Sequence, residues 1–394
     1  MMTRFFFDFM VSKFKISGSL GGRHWLLALF VWFILAFPAA ARELRVAIEE
    51  GVSQVKIGSS TNATVTDGTG KVLGQLAGMN GFAAQLKNGM VALDRWQAGE
   101  IKIQPAGEGY VYIGDRWYRG SIRIVSTGKA LTAVNHVDLD NYLYSVLGAE
   151  MDGTWPQEAL KAQAVAARSY ALYEQINNFN GVSDVGDNQG WQVYKGVESE
   201  SPGTYAAVNA TKGLFMAYNN QVILAAFHSC SGGRTENVED VWVDPLPYLR
   251  GVQDYDEGAP GCRWSQTLTR EDLSRKIAGV GNVVALVPEK TVEKTGRIIK
   301  MKVIGDAGTK VVDGEELRAS LGLNSSLFKV IPQGGSSEKG QDKTPPSAFV
   351  FQGAGFGHGL GLSQWGAYNL ARQGWNYQAI LTHYYQGAIL AKMQ

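Results

Sequence analysis

The residues best suited to chemistry in this chain are a glutamate, two histidines, two cysteines and a run of glycines. Glu150 lies in a short stretch between two expected helices, flanked by Leu147 and by Met151 to Trp155. A carboxylate there is either solvated and favourable to a helix end or partly buried, and burial would raise its pKa and make it a general acid. Glu158 competes with it, but an acid in a first helical turn usually complements the helix dipole. The segment His228-Ser-Cys-Ser-Gly-Gly-Arg-Thr235 follows an apolar strand and ends in glycines, where functional loop residues are commonly found. His228 and Cys230 alternate onto one face, so with Cys262 they offer three zinc ligands. Structural zinc sites usually have four ligands and closer cysteine spacing, so a Cys230–Cys262 disulfide is the preferred reading. A cysteine nucleophile ranks lower still, and no nucleophile-elbow pattern supports a triad on Ser229 or Ser231.

From Gly353 to Gly361 every odd position is glycine, and His358 stands among them. Read as an extended strand, this segment has one face bare of side chains, which another element or a sugar ring would approach closely. Packing by another strand or helix is the favoured explanation. The Gly-Lys-Ser/Thr ending of a phosphate loop is missing.

Several elements must position these residues. Short alternating runs from Leu44 to Val125, broken by Gly, Asn and Asp, predict antiparallel strands. Leu139 to Gly148 has helical spacing and ends in glycine. Thr154 as N-cap and Pro156 in the first turn then start a second helix, and the alanine-rich run Glu158 to Gln175 predicts close packing on several sides. Asn177 to Gln189 reads as a polar loop, and Val208 to His228 as two strands joined at Asn219-Asn220. Helices are expected at Arg270–Ile277 and Gly314–Ser320, with strands near Val283–Val287 and Ile298–Ile304.

These elements give an α+β protein: a β-rich N-terminal module at 42–117, then a mixed α/β domain at 118–394 around the alanine-rich helix. Within the latter, 264–330 forms a smaller α/β subdomain, 332–347 a solvated flexible loop, and 348–394 the glycine-rich segment that completes the site.

Length and composition agree. With 394 residues and 45% hydrophobic content the chain can bury a sizeable core. A formal charge of +1 gives no electrostatic case for nucleic acid. Arg4, Lys13, Lys15 and Arg23 precede an apolar run from Trp25 to Phe37 and then Ala39 to Ala41, which reads as an export signal at 1–41. The run is shorter than the ~20 residues of a spanning helix, so cleavage after Ala41 is expected, and membrane association only if the segment is retained. Cleavage would turn the formal charge slightly negative. The aromatic content, including 10 Trp and 16 Tyr, suits carbohydrate stacking.

Six segments in order resemble the SpoIID/LytB family, named for stage II sporulation protein D. They are Asp140 to Leu143, Ala149-Glu-Met151, Trp155 to Arg168, Phe227 to Gly233, Pro247 to Leu249, and Gly355 to Ala367. The resemblance covers roughly Tyr118 to the C-terminus, and Leu44 to Ile113 is similar to the looser β region that many members carry. It implies a lytic transglycosylase that cleaves peptidoglycan glycan strands stripped of their stem peptides, although some relatives are described as amidase enhancers. The family's catalytic glutamate falls on Glu150. His358, Gln364, Arg168, Lys161 and Ser231 are expected to position substrate, with Arg168 alternatively pairing a buried acid. Some members bind zinc through a histidine and cysteines, for which only His228, Cys230 and Cys262 are present here; the expected cofactor is none.

The implied partners are glycan strands and a cell-wall amidase, in the periplasm or cell wall. A hydrolase would instead need a second carboxylate about 5–9.5 Å from the first. Asp138, Asp140, Glu158 and Asp187 are the candidates.

Overall fold

In the computed structural model, alternation of apolar and polar residues builds two β-sheets, all but one of whose strands come from the first hundred described residues. The structure describes residues 43–188, 190–242, 244–335 and 344–393. The export signal read at 1–41 lies outside them. The larger sheet has seven strands in the order Val185–Gly186, Glu43–Val52, Leu131–Asp138, Ser121–Ser126, Glu100–Pro105, Ala63–Asp67 and Val72–Leu76. The smaller has six, in the order Arg116–Tyr118, Val111–Ile113, Gln54–Ser59, Gly81–Lys87, Met90–Leu93 and Trp96–Ala98. Register puts Val65 opposite Ile103 and Ile103 opposite Ile122, a fully buried apolar row across three strands. The β region therefore continues past residue 118 to Asp138. Val185–Gly186, within a segment read as a polar loop, adds a parallel edge strand. Arg45 fixes it by two side-chain bonds to Asp184, at 3.0 and 2.6 Å.

The last strand of this sheet feeds straight into the helix Leu139–Glu150, because the Asp138 carboxylate caps it by accepting the Asp140 and Asn141 N–H groups. Gly148 does not end the helix. A Cβ there would lie 1.8 Å from the Ser199 carbonyl oxygen, so glycine is needed for close approach and the helix runs on to Glu150.

The second helix spans Gln157–Asn177. Thr154 is not its cap: its N–H and hydroxyl both bond Asp152, and Pro156 occupies the cap position without a side-chain bond. Ala159, Ala162, Ala164, Ala166 and Ala167 are fully buried. Small side chains are required because the helices Leu139–Glu150, Pro202–Ala210, Gln364–Arg372 and Tyr377–Tyr384 and the strand Leu214–Tyr218 all pack on it.

Val208 belongs to the helix Pro202–Ala210 rather than to a strand, and the Ser201 and Thr204 capping box starts that helix. Asn219 and Asn220 make the expected tight turn, with φ of 49° and 60°. The strand before them also pairs with Ile389–Lys392 near the C-terminus.

The smaller α/β part has its own core of Leu273, Val283, Met301, Val303, Leu317, Phe349 and Phe351. It takes in the strand Ala348–Ala354, which pairs with both Arg263–Thr269 and Phe328–Gln333. Of the loop read at 332–347, Pro332 and Gln333 end a strand, and residues 336–343 lie outside the described residues.

The glycine segment is not extended beyond Ala354. Gly355, Gly357, Gly359 and Gly361 have φ of 82°, 111°, 81° and 66°. At Gly361 a side chain would be excluded twice over, by this backbone conformation and by the Ala226 carbonyl oxygen 2.1 Å from where a Cβ would stand. The close neighbour is thus the backbone of residues 226–232, which pairs with the segment through Phe227–His228 on Leu362–Ser363 and through Cys230 on Phe356.

Candidate functional site

Glu150 ends its helix half-buried, and two donors from distant parts of the chain converge on its carboxyl. The Val193 N–H donates to Oε1 at 3.1 Å, and the Gln364 amide donates to Oε2 at 3.3 Å. Among the described residues Glu150 has no ion-pair partner. Burial raises its pKa above the ordinary carboxylate value, while the Val193 N–H, the Gln364 amide and, at longer range, Lys195 pull it down. The net direction is upward, so the group favours the protonated form more than a solvated glutamate does.

Both donors are held in place. Gln192 and Tyr194, either side of Val193, are anchored by Tyr142 Oη donating to Gln192 at 3.1 Å and Tyr194 Oη donating to Asn135 at 2.8 Å. Gln364 opens the helix Gln364–Arg372, whose N-terminus is capped by Ser363 accepting the Gly366 N–H. Its neighbour Trp365 packs its ring 4.5 Å from Trp155, and Tyr368 closes the cluster at 4.9 Å from Trp155 and 5.2 Å from Trp365. All three rings are half-buried.

The other expected site residues make no hydrogen bond to Glu150 among the described residues. Arg168 is buried inside the domain, donating to Asp140 at 2.9 Å and to the Leu214 carbonyl at 3.0 Å. It thus takes the alternative role of pairing an acid. Lys161 bonds Glu158 at 2.7 Å, and the other Glu158 oxygen accepts the Tyr377 N–H. Ser231 is buried, with its hydroxyl on Asp254 at 2.6 Å, so it has no histidine to activate it.

His358 spends both ring nitrogens on backbone, Nε2–H donating to the Phe227 carbonyl and Nδ1 accepting the Leu360 N–H. Its ring lies 5.3 Å from His228, whose Nδ1–H donates to the Leu360 carbonyl. Burial depresses both pKa values to about 3, which leaves the pair neutral at physiological pH. His358 therefore braces the glycine segment against the strand that carries His228.

Cys230 and Cys262 form a disulfide. The one group of metal-ligand atoms within mutual reach among the described residues is Cys230, Asp256 and Cys262, and His228 is not part of it. Of the three candidate zinc ligands two are bonded to each other and His228 stands apart, and sulfurs joined as a disulfide are not free to ligate, so the arrangement does not fit a Cys/His zinc site.

None of the four candidate second carboxylates shares a hydrogen-bond donor with Glu150 among the described residues. Asp138 and Asp140 sit at the far end of Glu150's own helix, roughly 15 Å or more away at 1.5 Å per residue. Glu158 is engaged as described. Asp187 is half-buried with its pKa raised by burial, and it lines a polar concavity with Asp184, Asn188 and Trp191 that does not include Glu150. A second concavity, lined by Tyr110, Arg119, His136 and Asn141, does not include it either. We place the candidate site at Glu150 because its chemistry, rather than the depth of a hollow, distinguishes it. Sequence reasoning missed the Val193 N–H, which no side-chain pattern could reveal, and the pairing of Trp155 with Trp365, whose indoles lie far apart in the chain.

Known proteins resemble this chain in sequence. Residues 127–218 match the family model of the stage II sporulation protein, SpoIID, and residues 248–361 match a domain of unknown function, DUF8618. The chain is 32% identical over 276 residues to stage II sporulation protein D of Bacillus subtilis, covering 66% of this chain and 76% of that protein. It is 32% identical to an uncharacterized protein of Brachyspira hyodysenteriae, over 65% of this chain and 67% of that one. It is 29% identical to the amidase enhancer of Bacillus subtilis, over 63% of this chain but only 40% of that protein. The family-model match and the similarity to stage II sporulation protein D show that the chain belongs to the SpoIID family.

Proposed function

We propose that the protein is an exported peptidoglycan lytic transglycosylase that cleaves between muramic acid and glucosamine in peptide-stripped glycan strands. The observation that carries this reading is Glu150, a single half-buried carboxyl with a raised pKa, without an ion-pair partner among the described residues and aligned by two donors. In the resting state burial favours the acid, which gives its proton to the glycosidic oxygen as the bond to the muramic C1 breaks. The Val193 N–H and the Gln364 amide then stabilise the carboxylate that forms, since both donate to its oxygens. The C6 hydroxyl of the same muramic acid attacks C1, and Glu150 takes back the hydroxyl proton. The product has an anhydro end, and the carboxyl is restored. No water is activated, so one carboxyl suffices.

Among the described residues no helix is long and apolar enough to cross a membrane. The amidase enhancer among the relatives favours a second reading, a glycan clamp that stimulates a cell-wall amidase without cutting.

Purified sacculi, intact and amidase-stripped, separate these readings when released fragments are analysed by mass spectrometry beside a Glu150→Gln control. Anhydro-ended fragments from stripped sacculi, lost in the variant, are expected. Reducing ends would mean a hydrolase. Tight binding without release would leave the clamp.

A further inference from the structure

We propose that Trp155, Trp365, Tyr368 and Arg372 form a subsite beside Glu150 that stacks a sugar ring and reads the free lactyl carboxylate of a peptide-stripped muramic acid. The proposal rests on the reading of Glu150 as acting at a glycan strand.

The helix Gln364–Arg372 begins with the residue that holds Glu150, and positions 364, 368 and 372 follow at four-residue intervals along one face. At 1.5 Å per residue, Arg372 stands about 12 Å along the axis from Gln364, roughly the reach of a disaccharide. Between them Tyr368 meets both indoles, at 4.9 and 5.2 Å. The Arg372 guanidinium lies 5.8 Å from the Tyr368 ring centroid, within cation–π range. Arg372 is exposed, and among the described residues it has no ion-pair partner. A cation in the last turn of a helix is favourable to the dipole whatever it binds. That role accounts neither for the half-buried Tyr368 ring next to it nor for that ring's continuity, through the two indoles, with the bond that aligns Glu150.

The chemistry of the strand matches this order of groups. The apolar C–H face of a pyranose stacks on aromatic rings, and a muramic acid carries a lactyl ether on its ring. With a stem peptide attached, the lactyl carbonyl is a neutral amide and offers Arg372 no charge. Amide hydrolysis, which adds water and releases the peptide amine, turns it into a carboxylate that a guanidinium pairs. The preference for stripped strands would thus reside in Arg372.

Binding can be measured by titration calorimetry in a Glu150→Gln background, where no bond is cut. The probes are a glucosamine–muramic acid tetrasaccharide with free lactyl carboxylates, the same oligosaccharide as its methylamide, and chitotetraose. The free acid is expected to bind about 2- to 5-fold more tightly than the methylamide, with the difference fading at high salt and absent in Arg372→Gln. Trp365→Ala should weaken all three probes about tenfold, and Trp365→Phe should restore most of the loss. An undiminished preference in Arg372→Gln overturns the carboxylate reading, and unchanged binding in Trp365→Ala overturns the platform. If either happens while wild-type protein still releases anhydro fragments from stripped sacculi, the subsite falls and the role of Glu150 stands. If no probe binds and nothing is released, both fall.

Discussion

The helix Leu139–Glu150 carries an acid near each end, and the two have opposite surroundings. Asp140 is bonded by the buried Arg168, whose guanidinium also satisfies the Leu214 carbonyl. Glu150, about 15 Å along the same helix, receives two neutral donors and, among the described residues, has no ion-pair partner. The first acid is compensated and holds the domain together. The second keeps an unmet preference for its proton, which a structural acid would have lost to an arginine.

The sharpest way to break this contrast is Glu150→Gln. Release from stripped sacculi should fall by about 10²- to 10⁴-fold with the fold intact. Because the folded pKa is raised, ionised Glu150 costs stability that grows as pH rises through the carboxylate range. The variant should therefore melt at an equal or higher temperature than wild type at pH 7, with the gain shrinking toward pH 4. A large loss of melting temperature at pH 7 would make Glu150 structural. For the same reason wild-type activity should persist while Glu150 is protonated and fall as pH climbs past its raised pKa, a limb that a pH–rate profile would show.

Arg168→Met should do the reverse. Leaving the half-buried Asp140 without its cation and the Leu214 carbonyl without its donor costs about 3–5 kcal/mol, readable in urea unfolding, while activity per folded molecule changes little. Loss of the disulfide through paired Cys230→Ser and Cys262→Ser comes next. The crosslink spans a sequence separation of 32, which corresponds to about 3–4 kcal/mol of chain entropy. Added zinc should not recover that stability in the reduced wild-type protein, and recovery would revive the metal reading. The smallest effect is expected from Gln364→Ala, a roughly tenfold loss of rate. Removing this donor leaves burial less opposed, so the alkaline limb should move to higher pH; a shift to lower pH would refute the bond.

Much of this was legible in the residues. Alternation marked Ile101–Ile103 and Ile122–Val125 as strands because period two has no competing explanation there, and the alanines of Glu158–Gln175 announced a crowded helix. Asn219-Asn220 announced its turn through tolerance of positive φ. What misled were residues with two uses. Gly148 looked like a helix stop but makes room for the Ser199 carbonyl, and Thr154 looked like a cap but serves a turn on Asp152. The odd-numbered glycines suggested a bare strand face, whereas their left-handed backbone coils the segment against residues 226–232. Glu150 and Gln364 were each legible in motifs; their meeting was not, since tertiary packing alone joins positions so distant.

That separation also sets a timetable. The Glu150–Gln364 bond closes over 214 residues, and the strand Ile389–Lys392 must pair with Leu214–Tyr218 to finish the same domain. Until that last-made segment arrives, Glu150 lacks the Gln364 donor. The acid is armed last, so a prematurely terminated chain would carry the glutamate without the environment that makes it reactive.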